Sequence, residues 1–407
     1  MRVDLFKDSG AQFCLAGKND IAVGCLHHLL SLGIEPRRIR VVLNKDDAGR
    51  STWQQSLGFH ARRAGVATAT LDEMKMVKDL WFFSVEFDRI LKPAEFASDR
   101  LFNVHFSKLP AYRGVATSVW PILRGERETG VTFHRIDAGI DTGPVLLQRT
   151  FPLVTDWTAR DLYFKYLAEG LILFRDAVEL LSSGKSCESP QEESGASLFR
   201  RRDLDYGNLV IDTSLSASQV YAQIRAYSFW EYQLPRIGGR KVWSASILPG
   251  IPSAAAGTVR TAGPWRGVLS VVDGDLELRY SPYEDLYAWA AGEQWPSPDL
   301  AEVPDLDLQD AQGWSAMMKA ANAGNVAALR ALAKSGASAT KANKRGTTPL
   351  MYAFTRMVET GDDGAFRTLL ELGADPFASD QHGRTIADYL PAHVKAWVES
   401  GFPSIFR

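Results

Sequence analysis

Asn103, His105 and Asp141 are the residues of this chain whose types and spacing best suit chemistry. Asn103-Val104-His105 ends the run Leu101–His105, which reads as a β-strand, and residues two apart on a strand share a face. An amide and an imidazole therefore project together at the C-terminal end of a strand. Asp141 lies in Asp137-Ala138-Gly139-Ile140-Asp141-Thr142-Gly143, which reads as a glycine-rich loop. Such a trio has a definite repertoire. Asparagine donates a hydrogen bond to a developing oxyanion. Histidine near its ordinary pKa moves a proton. A carboxylate orients or polarises the imidazole. The other histidines, His27, His28, His60, His134, His382 and His393, read as structural.

These residues need a scaffold, and the first part of the chain alternates strand and helix. Residues 13–16, Ile39–Leu43, 80–83 and Leu101–His105 are apolar, strand-like runs. Between the first two, Ile21, Cys25, Leu26, Leu29 and Leu30 recur at helical spacing, with Asp20 placed as N-cap and Gly33 closing the helix. This rhythm predicts an α/β unit with a parallel sheet covered by helices, and such sheets bind ligands beyond the C-terminal ends of their strands. The turn after the first strand has Gly17 and Gly24 but no GxGxxG, so a Rossmann-like fold is expected without a dinucleotide.

Composition narrows the function. The chain has 407 residues, too many for one ordinary domain, and 45% are hydrophobic, which excludes a mainly disordered chain. Lys plus Arg total 46 against 48 Asp plus Glu, a net charge of −2 that argues against a dedicated nucleic-acid binder. Three cysteines, Cys14, Cys25 and Cys187, form no CxxC and point to neither a metal site nor a disulfide framework. No apolar run is long enough to span a membrane and the N-terminus does not read as a signal peptide, so a cytoplasmic protein is expected.

Turn and loop residues gather around 184–198, and a proline-rich stretch follows at 296–304. We therefore expect a catalytic domain over 1–190, a small α+β domain over 191–298 and a further module over 305–395. The middle segment holds one expected helix from Ser216 to Tyr227, capped by Ser216 or Ser218, and short strands around 241–243 and 276–278. In the last part, Gly313-Trp314-Ser315-Ala316 recurs 33 residues later as Gly346-Thr347-Thr348-Pro349, and Gly383-Arg384-Thr385-Ile386 follows 37 after that. This period resembles ankyrin repeats, which implies an all-α module. Four extra residues are expected to lengthen the inter-helix loop at 359–364.

The segment from 103 to 143 carries a wider resemblance. Asn103-x-His105-x-Ser107, Leu109-Pro110, Arg113-Gly114, Gly130-Val131-Thr132-x-His134 and Asp141-Thr142-Gly143 occur in order. This series resembles the 10-formyltetrahydrofolate-dependent formyltransferases, over residues 10–245. The resemblance implies a Rossmann-like catalytic domain, catalytic roles for Asn103, His105 and Asp141, and a folate co-substrate with no metal. It implies a pterin pocket at the 83–91 loop, with Phe83, Ser84, Val85, Ile90 and Leu91, bordered by Asp137.

Residues 225–235, from Arg225 to Pro235, resemble bacterial enzymes acting on nucleotide-linked amino sugars. With the ankyrin module, the chain is similar to dTDP-3-amino-3,6-dideoxyhexose N-formyltransferases of surface-polysaccharide synthesis. That implies a dTDP-amino sugar substrate and a homodimer, and places Ser107, Tyr112, Arg113, Arg225, Tyr227, Phe229 and Trp230 on the substrate side. For Tyr227, Phe229 and Trp230, packing of the second domain or a dimer contact is the competing reading. Trp295 and Trp314 either seal a junction or form a second, regulatory nucleotide-sugar site. Two rival functions remain: methionyl-tRNA formyltransferase, disfavoured by only seven basic against four acidic residues over 200–241, and an inactive ankyrin adaptor, disfavoured by the intact trio.

Overall fold

The computed structural model describes residues 10–184, 187–207, 209–294, 296–393 and 395–406. The chain divides into two units, one of residues up to Arg50 with Gln55–Tyr280, the other of Ser51–Gln54 with Ser281–Arg407. The division at 280 falls inside the segment expected as the second domain.

The first unit opens with β1 (Gln12–Gly17), α1 (Asn19–Ser31), β2 (Ile39–Leu43), α2 (Leu57–Arg63), β3 (Ala67–Thr68), α3 (Leu71–Lys75), β4 (Leu80–Val85) and β5 (Leu101–His105). After the short β6 (Arg113–Gly114) and α4 (Trp120–Leu123) come β7 (Glu128–Arg135), β8 (Val145–Pro152) and α5 (Ala159–Ser182). Helix α1 starts at Asn19, so Asp20 lies in its first turn and does not cap it.

Seven strands form one sheet in the order β3-β2-β1-β4-β5-β7-β8. Every residue of β4 is buried, as befits a central strand covered on both faces. Phe83, Phe102, Phe133 and Phe174 bring strands β4, β5, β7 and helix α5 together as one aromatic core.

The expected parallel sheet is a mixed one. Strands β1 to β5 pair in parallel, but β7 pairs antiparallel with both β5 and β8. The physical reason lies in the connections. Parallel neighbours need a crossover, usually a helix of some length, and the β5–β7 connection holds only the four-residue α4. Running antiparallel, β7 brings His134 opposite Asn103 and Thr132 opposite His105. The β7–β8 turn then lifts the Asp137–Gly143 loop over the same strand end.

The remainder of this unit has β9 (Leu198–Phe199), α6 (Ala217–Tyr227), β10 (Arg236–Ile237), β11 (Arg240–Leu248), β12 (Val259–Gly263), β13 (Arg266–Ser270) and β14 (Asp275–Tyr280). Ser216 caps α6, its side chain accepting from the Gln219 amide while Gln219 reaches back. Val220, Ile224, Val242, Leu269, Leu276 and Leu278 form the core between α6 and the five-stranded sheet β10-β11-β14-β13-β12.

The second unit holds α7 (Tyr283–Ala290), then the helix pairs α8 (Ala316–Ala323) with α9 (Val326–Lys334), and α10 (Pro349–Thr360) with α11 (Gly364–Glu371). It ends in α12 (Lys395–Gly401) and α13 (Pro403–Phe406). Ser315 and Thr348 cap α8 and α10, and Gly324 and Gly361 close them in left-handed conformations. The four extra residues do not lengthen the loop. Helix α8 has 8 residues and α10 has 12, so the insertion adds about one helical turn. Residues 357–360 are compatible with helix, and burial of Met357 favours extending it.

Candidate active site

Asn103, His105 and Asp141 converge beyond the end of β5. The Asn103 Nδ2 donates to Asp141 Oδ1 at 3.3 Å and lies 3.2 Å from His134 Nε2. His105 Nδ1 is 3.5 Å from Asp141 Oδ2, and His134 Nε2 is 3.5 Å from Oδ1. The Gly114 amide donates to Asp141 Oδ2 at 2.9 Å. Asp141 is thus a hub between two imidazoles. Burial opposes its ionisation, but the flanking His105 and His134 and the Gly114 amide outweigh burial and hold the carboxyl far below the usual carboxylate range.

Backbone carbonyls set the proton positions, because a carbonyl only accepts. His105 Nε2 lies 2.8 Å from the Tyr112 carbonyl and must carry a hydrogen there, leaving Nδ1 turned to Asp141. His134 Nδ1 lies 2.9 Å from the Arg135 carbonyl and carries its hydrogen in the same way. His134 is therefore part of the cluster, which corrects its assignment to a purely structural role.

The Asp141 loop is held by residues outside the trio. Gln191 Nε2 donates to the Asp141 carbonyl at 2.9 Å and to the Gly143 carbonyl at 2.7 Å. Its Oε1 accepts from Arg113 Nη2 at 2.9 Å, and Arg113 also pairs with Glu193. Asp137 Oδ1 accepts from Thr142 Oγ1 at 2.7 Å and from the Gly139 amide at 3.1 Å. Asp141 itself has φ +53, a left-handed conformation rare for a non-glycine residue. Gly114 has φ +93, and a Cβ there would strike the Phe199 carbonyl oxygen. Glycine lets its amide reach Asp141.

Replacing Gln191 with alanine should release this loop. Losing two net hydrogen bonds costs about 1–3 kcal/mol, and turnover should fall roughly tenfold as Asp141 loses its register. Urea unfolding and kcat measured on one preparation check both. An unchanged kcat would mean that the loop holds its geometry without Gln191.

Several expected substrate residues serve the scaffold. Ser107 is fully buried, and its hydroxyl donates to the Ala111 carbonyl at 2.7 Å, so it cannot face a ligand. The buried Tyr112 ring stacks on Phe199, with its hydroxyl bonded to Glu126. Arg113 braces Gln191. Arg225 Nη1 donates to the Trp157 carbonyl at 3.0 Å and its guanidinium lies over the Tyr221 ring. Tyr227 packs on the second-sheet core, and Phe229 packs against Tyr163 and Tyr232. Trp230 differs. With Tyr206, Tyr232, Arg236 and Lys241 it lines a cavity of about 610 Å³.

The expected pterin loop is likewise divided. Phe83 and Val85 are buried, and Phe83 belongs to the aromatic core, so neither lines an open pocket. Ser84, on the opposite face of β4, is 7% exposed and Leu91 8%. Ile90 is 77% exposed and presents apolar surface. In the second unit, the Trp314 ring packs on Tyr352 with centroids 4.1 Å apart. Trp295 lies outside the described residues.

Residues 43–178 match the formyl transferase family model, and 298–380 match a model of three ankyrin repeats. The chain is similar to the N-formyltransferase from Helicobacter canadensis, solved in complex with folinic acid and dTDP-3-aminofucose: identity is 38%, over 66% of this chain and 99% of that one, with a TM-score of 0.62. It is equally similar to WlaRD, a sugar 3N-formyl transferase solved in the presence of dTDP and 5-N-formyl-THF, with 38% identity over 67% of this chain and 98% of that one and a TM-score of 0.62. The chain belongs to the formyltransferase family. In this formyltransferase the shared length is 66–67% of the chain, and residues 298–380 carry the ankyrin repeats. Among the described residues no helix is long and apolar enough to cross a membrane.

Proposed function

We propose that this formyltransferase moves the formyl group of 10-formyltetrahydrofolate to the 3-amino group of a dTDP-linked 3-amino-3,6-dideoxyhexose. The observation that carries the reading is the Asn103–His105–Asp141 cluster in a chain 38% identical to enzymes solved with a folate and dTDP or a dTDP-amino sugar.

The chemistry follows from the cluster. The sugar amine attacks the formyl carbon. Asn103 Nδ2 turns one of its two N–H groups from His134 Nε2 to the oxyanion that develops and keeps the other on Asp141. His105 takes a proton from the attacking nitrogen and returns it to the departing folate nitrogen. For this, Nε2 leaves the Tyr112 carbonyl when substrate is in place and the ring hydrogen moves to Nδ1, beside Asp141, so that Nε2 has a free lone pair. Asp141 remains ionised and holds the positive charge that His105 carries in passing. Ile90 contacts the pterin, and Leu91 anchors the loop in the core. The cavity beside Trp230 and Tyr232 receives the nucleotide, with aromatic faces for thymine and Arg236 and Lys241 for the diphosphate. The enzyme acts as a cytoplasmic homodimer in building a bacterial surface polysaccharide such as O-antigen.

Tetrahydrofolate release across a panel of dTDP-amino sugars and methionyl-tRNA tests this reading. Turnover should be highest with a 3-amino sugar and absent with the tRNA. The reverse order would reject it.

The ankyrin module holds a second nucleotide-sugar site that tunes catalysis. Support comes from the Trp314–Tyr352 pair, Arg345 Nη2 donating to Tyr352 Oη at 3.1 Å, and the buried Arg345 Nε, which has no hydrogen-bond partner among the described residues. Trp314→Ala should leave the chemical step intact and change the shape of the rate-versus-sugar curve. One nucleotide bound per chain by calorimetry, with unchanged kinetics in the variant, would reduce the module to a structural or protein-binding role.

A further inference from the structure

The sugar amine raises a proton problem that the trio does not solve. A primary alkyl amine is largely ammonium at neutral pH, and an ammonium has no lone pair for attack. The reaction therefore sheds two protons from nitrogen: one before attack and one after. His105 handles the second and passes it to the folate nitrogen. Its two ring nitrogens face Tyr112 and Asp141, so the first proton needs another acceptor. Asp141 is unsuited to that task, since its oxygens already face the Gly114 amide, the Asn103 amide and two imidazoles.

Glu86 stands where such an acceptor is needed. Val85 of β4 pairs with Val104 of β5, so Glu86 and His105 follow side by side at the strand ends. Glu86 is a non-glycine residue at φ +58, one of five such left-handed residues among those described; Asn19, Tyr112, Ala116 and Asp141 are the others. Its backbone is pinned by Asn44 Nδ2, which donates to the Glu86 carbonyl at 2.9 Å. Its carboxylate accepts from Tyr163 Oη at 2.9 Å, and Asn19 Nδ2 in turn donates to that hydroxyl. Among the described residues Tyr163 is the one hydrogen-bond donor to this carboxylate, so acceptor capacity remains.

The charged groups around it complete the case. Lys18, His105 and Asp46 act on Glu86, and Lys18 is held by Asp46 with Nζ and Oδ2 3.4 Å apart. Glu86 and Asp46 outnumber Lys18 by one negative charge, which one ammonium would neutralise. Burial pushes the Glu86 carboxyl upward against Lys18, Tyr163 and His105, while Asp141 is held far down. Two carboxylates driven apart in this way suit one permanent anion and one proton acceptor.

We propose that Glu86 binds the amino group of the sugar as an ammonium ion and accepts its first proton. The proposal rests on the amino-sugar reading above. Its balance is simple. The ammonium gives H⁺ to Glu86 and becomes the free amine. Nitrogen then bonds to the formyl carbon, the bond from that carbon to the folate nitrogen breaks, and His105 carries the second proton to the folate nitrogen. Glu86 releases its proton to solvent.

The experiment is kcat/KM for a dTDP-3-amino sugar from pH about 6 to about 11, a range that passes the pKa of about 10.4 of an unperturbed alkyl amine, with wild type, Glu86→Gln and Glu86→Asp. Below the pKa of the substrate amine, Glu86→Gln should lose at least about tenfold. Above it, where the amine arrives free, the loss should shrink to about threefold or less. Glu86→Asp should keep the wild-type profile at a lower rate, and the KM for the folate donor should stay unchanged in both. A loss in Glu86→Gln that is equal at every pH would overturn the proposal and leave Glu86 a structural or hydroxyl-binding residue. Wild-type inactivity toward every amino sugar would instead overturn the underlying reading, and this proposal with it.

Discussion

His105→Ala and Asn103→Ala should each remove most turnover while leaving the fold intact. Removing an oxyanion donor costs on the order of 10²–10³ in rate, and removing a general base about 10²–10⁴. The two residues are 7% exposed and half-buried, and both lie at the end of a strand, so truncation leaves the ladder in place. Each loss should appear in kcat at saturating substrates, with an unchanged circular dichroism spectrum. Near-normal kcat in either variant would remove that residue from the chemistry.

Asp141→Asn should be comparably damaging, through orientation and charge. Asn keeps the shape but loses the negative charge between His105 and His134. In such pairs the charge contributes up to about 10⁴ in rate. The same variant carries a stability signature. The Asp141 carboxyl is lower in the folded chain than the unfolded value of about 3.9. A depressed carboxylate adds stability above the unfolded pKa, and that contribution is lost as pH falls through the folded pKa. The difference in urea midpoint between wild type and Asp141→Asn should therefore be flat above pH about 5 and shift against wild type below about 4. A difference that does not change with pH would mean that Asp141 titrates alike in both states.

Much of this site is readable along the chain because its geometry is local. Asn103 and His105 share a face by the two-residue period of a strand, and apolar runs mark the buried strands Ile39–Leu43 and Leu101–His105 at their observed bounds. His134 is different. It joins the cluster because β7 runs antiparallel to β5, and strand direction leaves its mark only in the shortness of α4. Gln191 sits in a stretch that reads as an interdomain linker, and its partners are backbone carbonyls, which no side-chain pattern encodes. Phe83 and Ser84 adjoin in the same motif, yet the pleat sends one into the aromatic core and the other to the opposite face. The insertion at 359–364 looks like loop material by its Gly and Asp content, but burial of Met357 extends α10 instead.

Analysis of the product identifies the acceptor. The full chain is incubated with 10-formyltetrahydrofolate and a dTDP-3-amino-3,6-dideoxyhexose, and the nucleotide sugar is examined by mass spectrometry and NMR. One formyl group should appear on the 3-nitrogen, formed in equal amount with tetrahydrofolate and absent with His105→Ala. Tetrahydrofolate released without any formylated sugar, or a formyl group placed on methionyl-tRNA instead, would contradict the proposed function.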